Sequence, residues 1–163
     1  MLRCFARASL LLVLAGCVTP TAPLPRLVSF NEEEYRPYAA AGTSVIYGEA
    51  FLKTQAGDVK KGAGNKIHLN PVTQYSTEWY ERAVLAGIPL EPADPRVFHY
   101  HREMIADSEG RFRFEKLPAG EYYAICEITW AYVQGNALLP TGGVAHAKIR
   151  VGPGEEVKAI LIR

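Results

Sequence analysis

Cysteine is scarce: the 163-residue chain carries only Cys4, Cys17 and Cys126. That is too few for a disulfide framework, so any fold must rest on packing. Charge of one sign is lacking too. Eighteen Lys and Arg stand against 17 Asp and Glu, a net charge of +1, which leaves no electrostatic footprint for nucleic acid. The longest apolar stretch, residues 10–18, falls far short of the roughly 20 residues that span a bilayer as a helix. The chain contains neither a Gly-x-Ser-x-Gly nor a His-Glu-x-x-His pattern, so no residue set points to catalysis. We expect a protein that is not an enzyme and needs no cofactor. What is present is 48% apolar and 10% aromatic residues, enough for a real core. Gly and Pro are spread throughout, as in strands joined by turns.

The N-terminus has the layout of a secretory signal: Arg3 and Arg7, an apolar run, then Leu14-Ala15-Gly16 before Cys17. A cysteine directly after two small residues resembles the lipobox of bacterial lipoproteins. The resemblance implies cleavage of residues 1–16, diacylglycerol on the Cys17 thiol, and a fatty acyl chain such as palmitate on the new amino group. A plain secretory signal with an incidental cysteine is the competing reading. Two or three acyl chains anchor stably where one is marginal. Val18, not Asp, follows the cysteine, which in the lipoprotein pattern implies the outer membrane where the host has one. Cleavage removes Arg3 and Arg7 and no acid, so +1 becomes −1. Residues 17–43, with Pro20, Pro23 and Pro25 in their first part, read as lipid anchor and extended tether. Asn31 followed by Glu32, Glu33 and Glu34 suits a short helix start that Pro37 limits.

Residues 44–163 read as one β domain. Ile46, Gly48, Ala50 and Leu52 share one face of a strand over 44–53, and Ile67 and Leu69 point inward from a strand over 66–70. Turns fall at 55–58 and 62–65. One helix, capped by Ser76 or Thr77 and ended by Gly87, places Trp79, Ala83 and Ala86 on a face that packs on the sheets. Residues 89–95 form a loop and 96–106 a strand. Strands follow at 111–115, 121–131, 144–151 and 157–162, with a loop over 134–143. About seven strands with regular turn signals predict an all-β, Greek-key β-sandwich with one inserted short helix. Cys126, inside an apolar strand, reads as a buried small hydrophobe.

Residues 107–123, Asp-Ser-Glu-Gly-Arg-Phe-Arg-Phe-Glu-Lys-Leu-Pro-Ala-Gly-Glu-Tyr-Tyr, are similar to the core motif of carboxypeptidase regulatory-like domains: D-x-x-G, F-x-F, then L-P-x-G-x-Y. Gly48-Glu49-Ala50 fits the opening strand of that family. The resemblance implies a seven-stranded, transthyretin-like (prealbumin-like) sandwich and an accessory module. It does not by itself assign a function. A urate-pathway hydrolase of similar fold ends in Tyr-Arg-Gly-Ser. This chain ends Leu161-Ile162-Arg163, so that catalytic carry-over fails.

Two clusters offer function. In a strand over 96–106, His99, His101 and Glu103 would share one face, a donor set suited to zinc or another divalent ion. Phe98, Tyr100 and Met104 would then form the core side. A merely solvated polar face is the plainer reading of the histidines, and His146 also points outward from its own strand. Among the aromatics, Tyr75, Trp79, Tyr80, Trp130 and Tyr132 can serve packing or a partner or glycan surface; Trp79 and Tyr80 are the candidate partner surface. Lys53, Lys60, Lys61 and Lys66 read as solvated loop charge, with anionic headgroups as the lesser option. The expected function is a lipid-anchored envelope protein whose sandwich is a binding or assembly module. It would meet another envelope protein or a glycan, with no nucleic acid partner. The alternative is a periplasmic metal- or carbohydrate-binding protein using His99, His101 and Glu103.

Overall fold

The computed structural model describes residues 22–163; the expected signal peptide and Cys17 lie outside them. Two four-stranded sheets face each other. In the first, β1 (Ser44–Lys53) lies between β5 (Arg111–Leu117), antiparallel, and β8 (Glu156–Leu161), parallel, and β2 (Val59–Lys61) pairs with its far end. The second runs β4 (Arg102–Ile105), β3 (Lys66–Pro71), β6 (Gly120–Gln134), β7 (Ala137–Val151), all antiparallel. The all-β sandwich is thus as expected, with eight strands rather than seven. The extra strand is β2, a three-residue piece between the two Gly-rich turns.

Period-2 alternation places the core. Ile46, Ala50 and Leu52 from β1 meet Ile67 and Leu69 from β3, Phe112, Phe114 and Leu117 from β5, and Tyr122, Ala124, Cys126 and Ile128 from β6. Each fully buried aliphatic side chain contributes about 1.5–3 kcal/mol. Gly48 is required where β1 meets β8, because a Cβ there would run into the carbonyl of Ala159. The residues 107–123 motif folds as two turns around β5. Asp107 Oδ1 accepts the N–H groups of Glu109 and Arg111 at 2.8 and 2.9 Å. Gly110 takes φ +77°, a conformation Gly adopts without steric cost. Tyr122 then donates its hydroxyl to Pro118 O at 2.8 Å.

Four elements differ from the sequence reading. The helix α2 (Gln74–Trp79) is capped by Thr73, not by Ser76 or Thr77; Ser76 is the other half of a reciprocal capping box. It continues as a π-turn over Tyr80–Leu85. Its buried residues are Tyr75, Ser76, Glu78 and Tyr80, while Trp79 and Ala83 are half-buried and Ala86 is exposed. Second, residues 96–106 are not one strand. Asp94 accepts from the Arg96 N–H and Pro95 opens a 3-10 turn over Pro95–His99, as proline favours at a first helical position; β4 starts only at Arg102. Third, the expected loop over 134–143 is a hairpin turning at Gly135-Asn136, with β6 and β7 paired out to Gln134 and Ala137. A two-residue Gly-Asn turn is a strong hairpin signal.

Fourth, the expected tether is docked from Leu24 onward. Leu24 pairs with Leu90, and the Leu27 and Val28 N–H groups donate to the two carboxylate oxygens of Glu78 at 2.7 and 3.0 Å. Phe30 stacks on Tyr35 of α1 (Glu32–Tyr35), centroids 5.0 Å apart. This segment, α2 and the 3-10 turn form a layer over the outer face of the second sheet. Tyr80 lies flat on Tyr123 of β6 at 4.0 Å, and Thr77 Oγ1 is 3.0 Å from the Tyr123 hydroxyl.

Candidate functional site

That added layer leaves a cleft of about 180 Å³ against the end of β3, walled by Tyr35, Tyr75, Trp79 and Phe98. Tyr75 is pinned from behind, its hydroxyl accepting the Asp94 N–H at 2.8 Å. The Arg26 guanidinium lies over its ring, 4.7 Å from the centroid. Tyr35 is buried between Phe30 and Tyr100, with Tyr100 4.9 Å away. Trp79 is half-buried and Phe98 64% exposed, so these two rings are the reachable ones. Asn70, Ser76, Arg26 and His101 supply the polar groups. Arg26 Nη1 is buried without a hydrogen-bond partner among the described residues, a donor whose desolvation is uncompensated. Aromatic walls with a few placed polar groups are the usual chemistry of a ligand site.

The cleft shares His101 with a second group. His68 pairs with Glu103 across β3 and β4, on the outer face, while Ile67 and Leu69 enter the core. His101 joins from just before β4. Its Nε2 is 3.2 Å from His68 Nδ1, and Glu103 Oε2 is 3.8 Å from each of those atoms. His101 Nδ1 is 2.8 Å from Asn70 Oδ1. Lys66 holds the other Glu103 oxygen at 2.8 Å. Desolvation lowers the pKa of both imidazoles, against the opposing pull of Glu103. The Lys66 ammonium lowers that of Glu103. Neutral imidazoles beside an ionised carboxylate are the protonation states that metal ligation requires.

Of the expected metal set, the structure brings together His101 and Glu103 but not His99, which sits exposed in the 3-10 turn. His68 takes that place. Phe98 is exposed rather than core, Tyr100 packs on Tyr35, and Met104 alone of that trio reaches the main core. His146 lies apart, its Nδ1 2.7 Å from the Tyr80 hydroxyl. Of the expected partner pair, Trp79 faces the cleft while Tyr80 is spent on Tyr123 and His146. Cys126 is free and fully buried, and burial raises its thiol pKa to about 11. Sequence reasoning passed over His68, Asn70, Arg26 and Tyr35. The outward positions of β3, residues 66, 68 and 70, carried the signal for two of them. Arg26 was hidden in a segment read as tether.

Fold and cleft together define a β-sandwich that carries an open, aromatic-lined recess. A solved structure from Pseudomonas aeruginosa, of a protein described as a "putative carbohydrate binding protein", matches with a TM-score of 0.76 and 30% sequence identity over 85% of this chain and 100% of that one. The chain belongs to the same family as that protein. No protein-family model matches the chain, and no curated protein does.

Proposed function

We propose that this protein is a non-catalytic carbohydrate-binding module of the cell envelope, and that the cleft between Trp79 and Phe98 receives one sugar residue of a glycan. The observation that carries this reading is the cleft itself. Two reachable aromatic faces can cover the apolar face of a sugar ring, and the Arg26 guanidinium and the Asn70 amide N–H groups, at the cleft wall, offer hydrogen bonds to its hydroxyls. A volume of about 180 Å³ is below the roughly 300–1,000 Å³ of drug-sized ligand pockets, which suits one residue of a polymer. The description of the Pseudomonas aeruginosa relative supports it, and the resemblance of residues 107–123 to carboxypeptidase regulatory-like modules fits its non-catalytic part. In this reading lipidated Cys17 holds the protein to the membrane, at the outer membrane where the host has one.

Calorimetric titration with soluble envelope glycans is the test. Trp79→Ala and Phe98→Ala should each weaken binding at least about tenfold, the equivalent of 1.4 kcal/mol, with thermal stability nearly unchanged for the exposed Phe98. No saturable binding of any glycan by the unaltered protein overturns the proposal. The anchor is tested separately: Cys17→Ser should move the protein from the membrane to the soluble fraction.

An assembly role has one observation in its favour. The end of the β6–β7 hairpin exposes Tyr132, Val133 and Leu138, apolar side chains that a protein partner would cover. Crosslinking in intact cells that is lost in a Val133→Asp, Leu138→Asp variant would support it.

A further inference from the structure

We propose that His68 Nδ1, His101 Nε2 and Glu103 Oε2 form a three-ligand site for a borderline divalent transition ion, with zinc as the reference case.

The geometry points there first. The three atoms make a triangle with sides of 3.2, 3.8 and 3.8 Å. A point equidistant from them lies about 2.1 Å from each, within the Zn–N and Zn–O bonding range. Binding displaces the proton that His68 Nδ1 shares with His101 Nε2 and needs only small side-chain shifts. Three protein ligands leave a coordination position for water or a ligand oxygen, as in zinc sites that act on exogenous molecules.

The surrounding groups are arranged as such a site needs. Asn70 Oδ1 accepts the proton of His101 Nδ1, which leaves the Nε2 lone pair facing the cluster, the outer support common to metal-bound histidines. Lys66 occupies one Glu103 oxygen and turns the other toward the imidazoles. Glu103 is exposed and His68 also lines a surface hollow with Lys66 and Glu127, so the cluster lies at the solvent boundary. Two imidazoles disfavour calcium and magnesium, which take oxygen ligands, and the absence of a thiolate among the three disfavours soft ions.

Without an ion, the same contact is an ordinary hydrogen bond from His68 Nδ1–H to His101 Nε2. The two cases are separated by titrating the chelator-treated, purified full chain with Zn²⁺ in a calorimeter and with Co²⁺ in the visible spectrum. The expected result is one equivalent of Zn²⁺ bound at micromolar concentration or below, and a Co²⁺ band of low-coordinate intensity. His68→Ala and His101→Ala should each weaken binding at least about tenfold, and His99→Ala should leave it unchanged. Glu103→Gln, at an exposed position, preserves the fold and should also weaken binding, so the test survives a histidine variant that fails to fold. No saturable binding below about 100 µM, or binding that persists unchanged in Glu103→Gln and His68→Ala, overturns the proposal. Because metal is measured without any glycan, the outcome is independent of the carbohydrate reading.

Discussion

Asn70 Oδ1 lies 2.8 Å from His101 Nδ1, so a side chain on the outer face of β3 decides which nitrogen of His101 faces His68. His101 also walls the aromatic cleft, and the two candidate sites therefore share one positioned ring. Asn70→Ala should free that ring. Zn²⁺ affinity is expected to fall about 10- to 100-fold, the usual cost of losing an outer-shell partner, although Asn70 touches no ion. Calorimetry on this variant beside Glu103→Gln checks it: an unchanged affinity would mean that the Asn70 bond does not orient the ligand.

Glu78 ties the N-terminal segment to α2. Desolvation pushes its pKa up, but the Leu27 and Val28 N–H groups and the Arg82 guanidinium together outweigh this and hold the carboxyl below its ordinary value. A depressed folded pKa stabilises above the unfolded value, about 4.3, and that contribution is lost as pH falls through the folded pKa. Acidification below about pH 4 should therefore release residues 22–30 ahead of the sandwich. Glu78→Ala should do so at neutral pH, at a cost of about 1–3 kcal/mol from the orphaned donors. Hydrogen exchange at Leu27 and Val28 reads both effects, and protection equal to the unaltered protein's would refute the role.

Tyr80 and Trp79 are neighbours with opposite duties. Tyr80→Phe keeps the stack on Tyr123 and loses only the hydroxyl bond to His146, so it should cost about 0.5–1.5 kcal/mol of stability and leave glycan affinity alone. Trp79→Ala should show the opposite emphasis. Parallel melting curves and glycan titrations decide, and a loss of glycan binding in Tyr80→Phe would contradict the assignment.

Gly110 stands at φ +77°, and a Cβ there would lie 2.8 Å from the carbonyl oxygen of Ala50. Gly110→Ala meets both strain and a backbone clash, so it should destabilise by more than about 1 kcal/mol. Phe112→Ala, 4% exposed in the core, should cost about 3–5 kcal/mol. Denaturant unfolding measures both. A Gly110→Ala variant as stable as the parent would show that the turn is not constrained by β1.

Much of the sandwich is legible along the chain, because alternation is a local property. Ile46, Ala50 and Leu52, Ile67 and Leu69, and Phe112 and Phe114 all face the core where period-2 spacing places them. The 107–110 turn and the buried state of Cys126 follow from the same reading. The binding features are not local. His68 meets Glu103 only because β3 and β4 pair in one register, and a capped proline turn at 94–95 takes His99 off that face. Arg26 reaches Tyr75 because its segment docks on distant elements, through Leu24 on Leu90 and through the Leu27 and Val28 N–H groups on Glu78, 50 residues away in sequence from Val28. Burial pattern is written into neighbouring residues, whereas a site between segments is decided by register and docking, which depend on contacts no single segment contains.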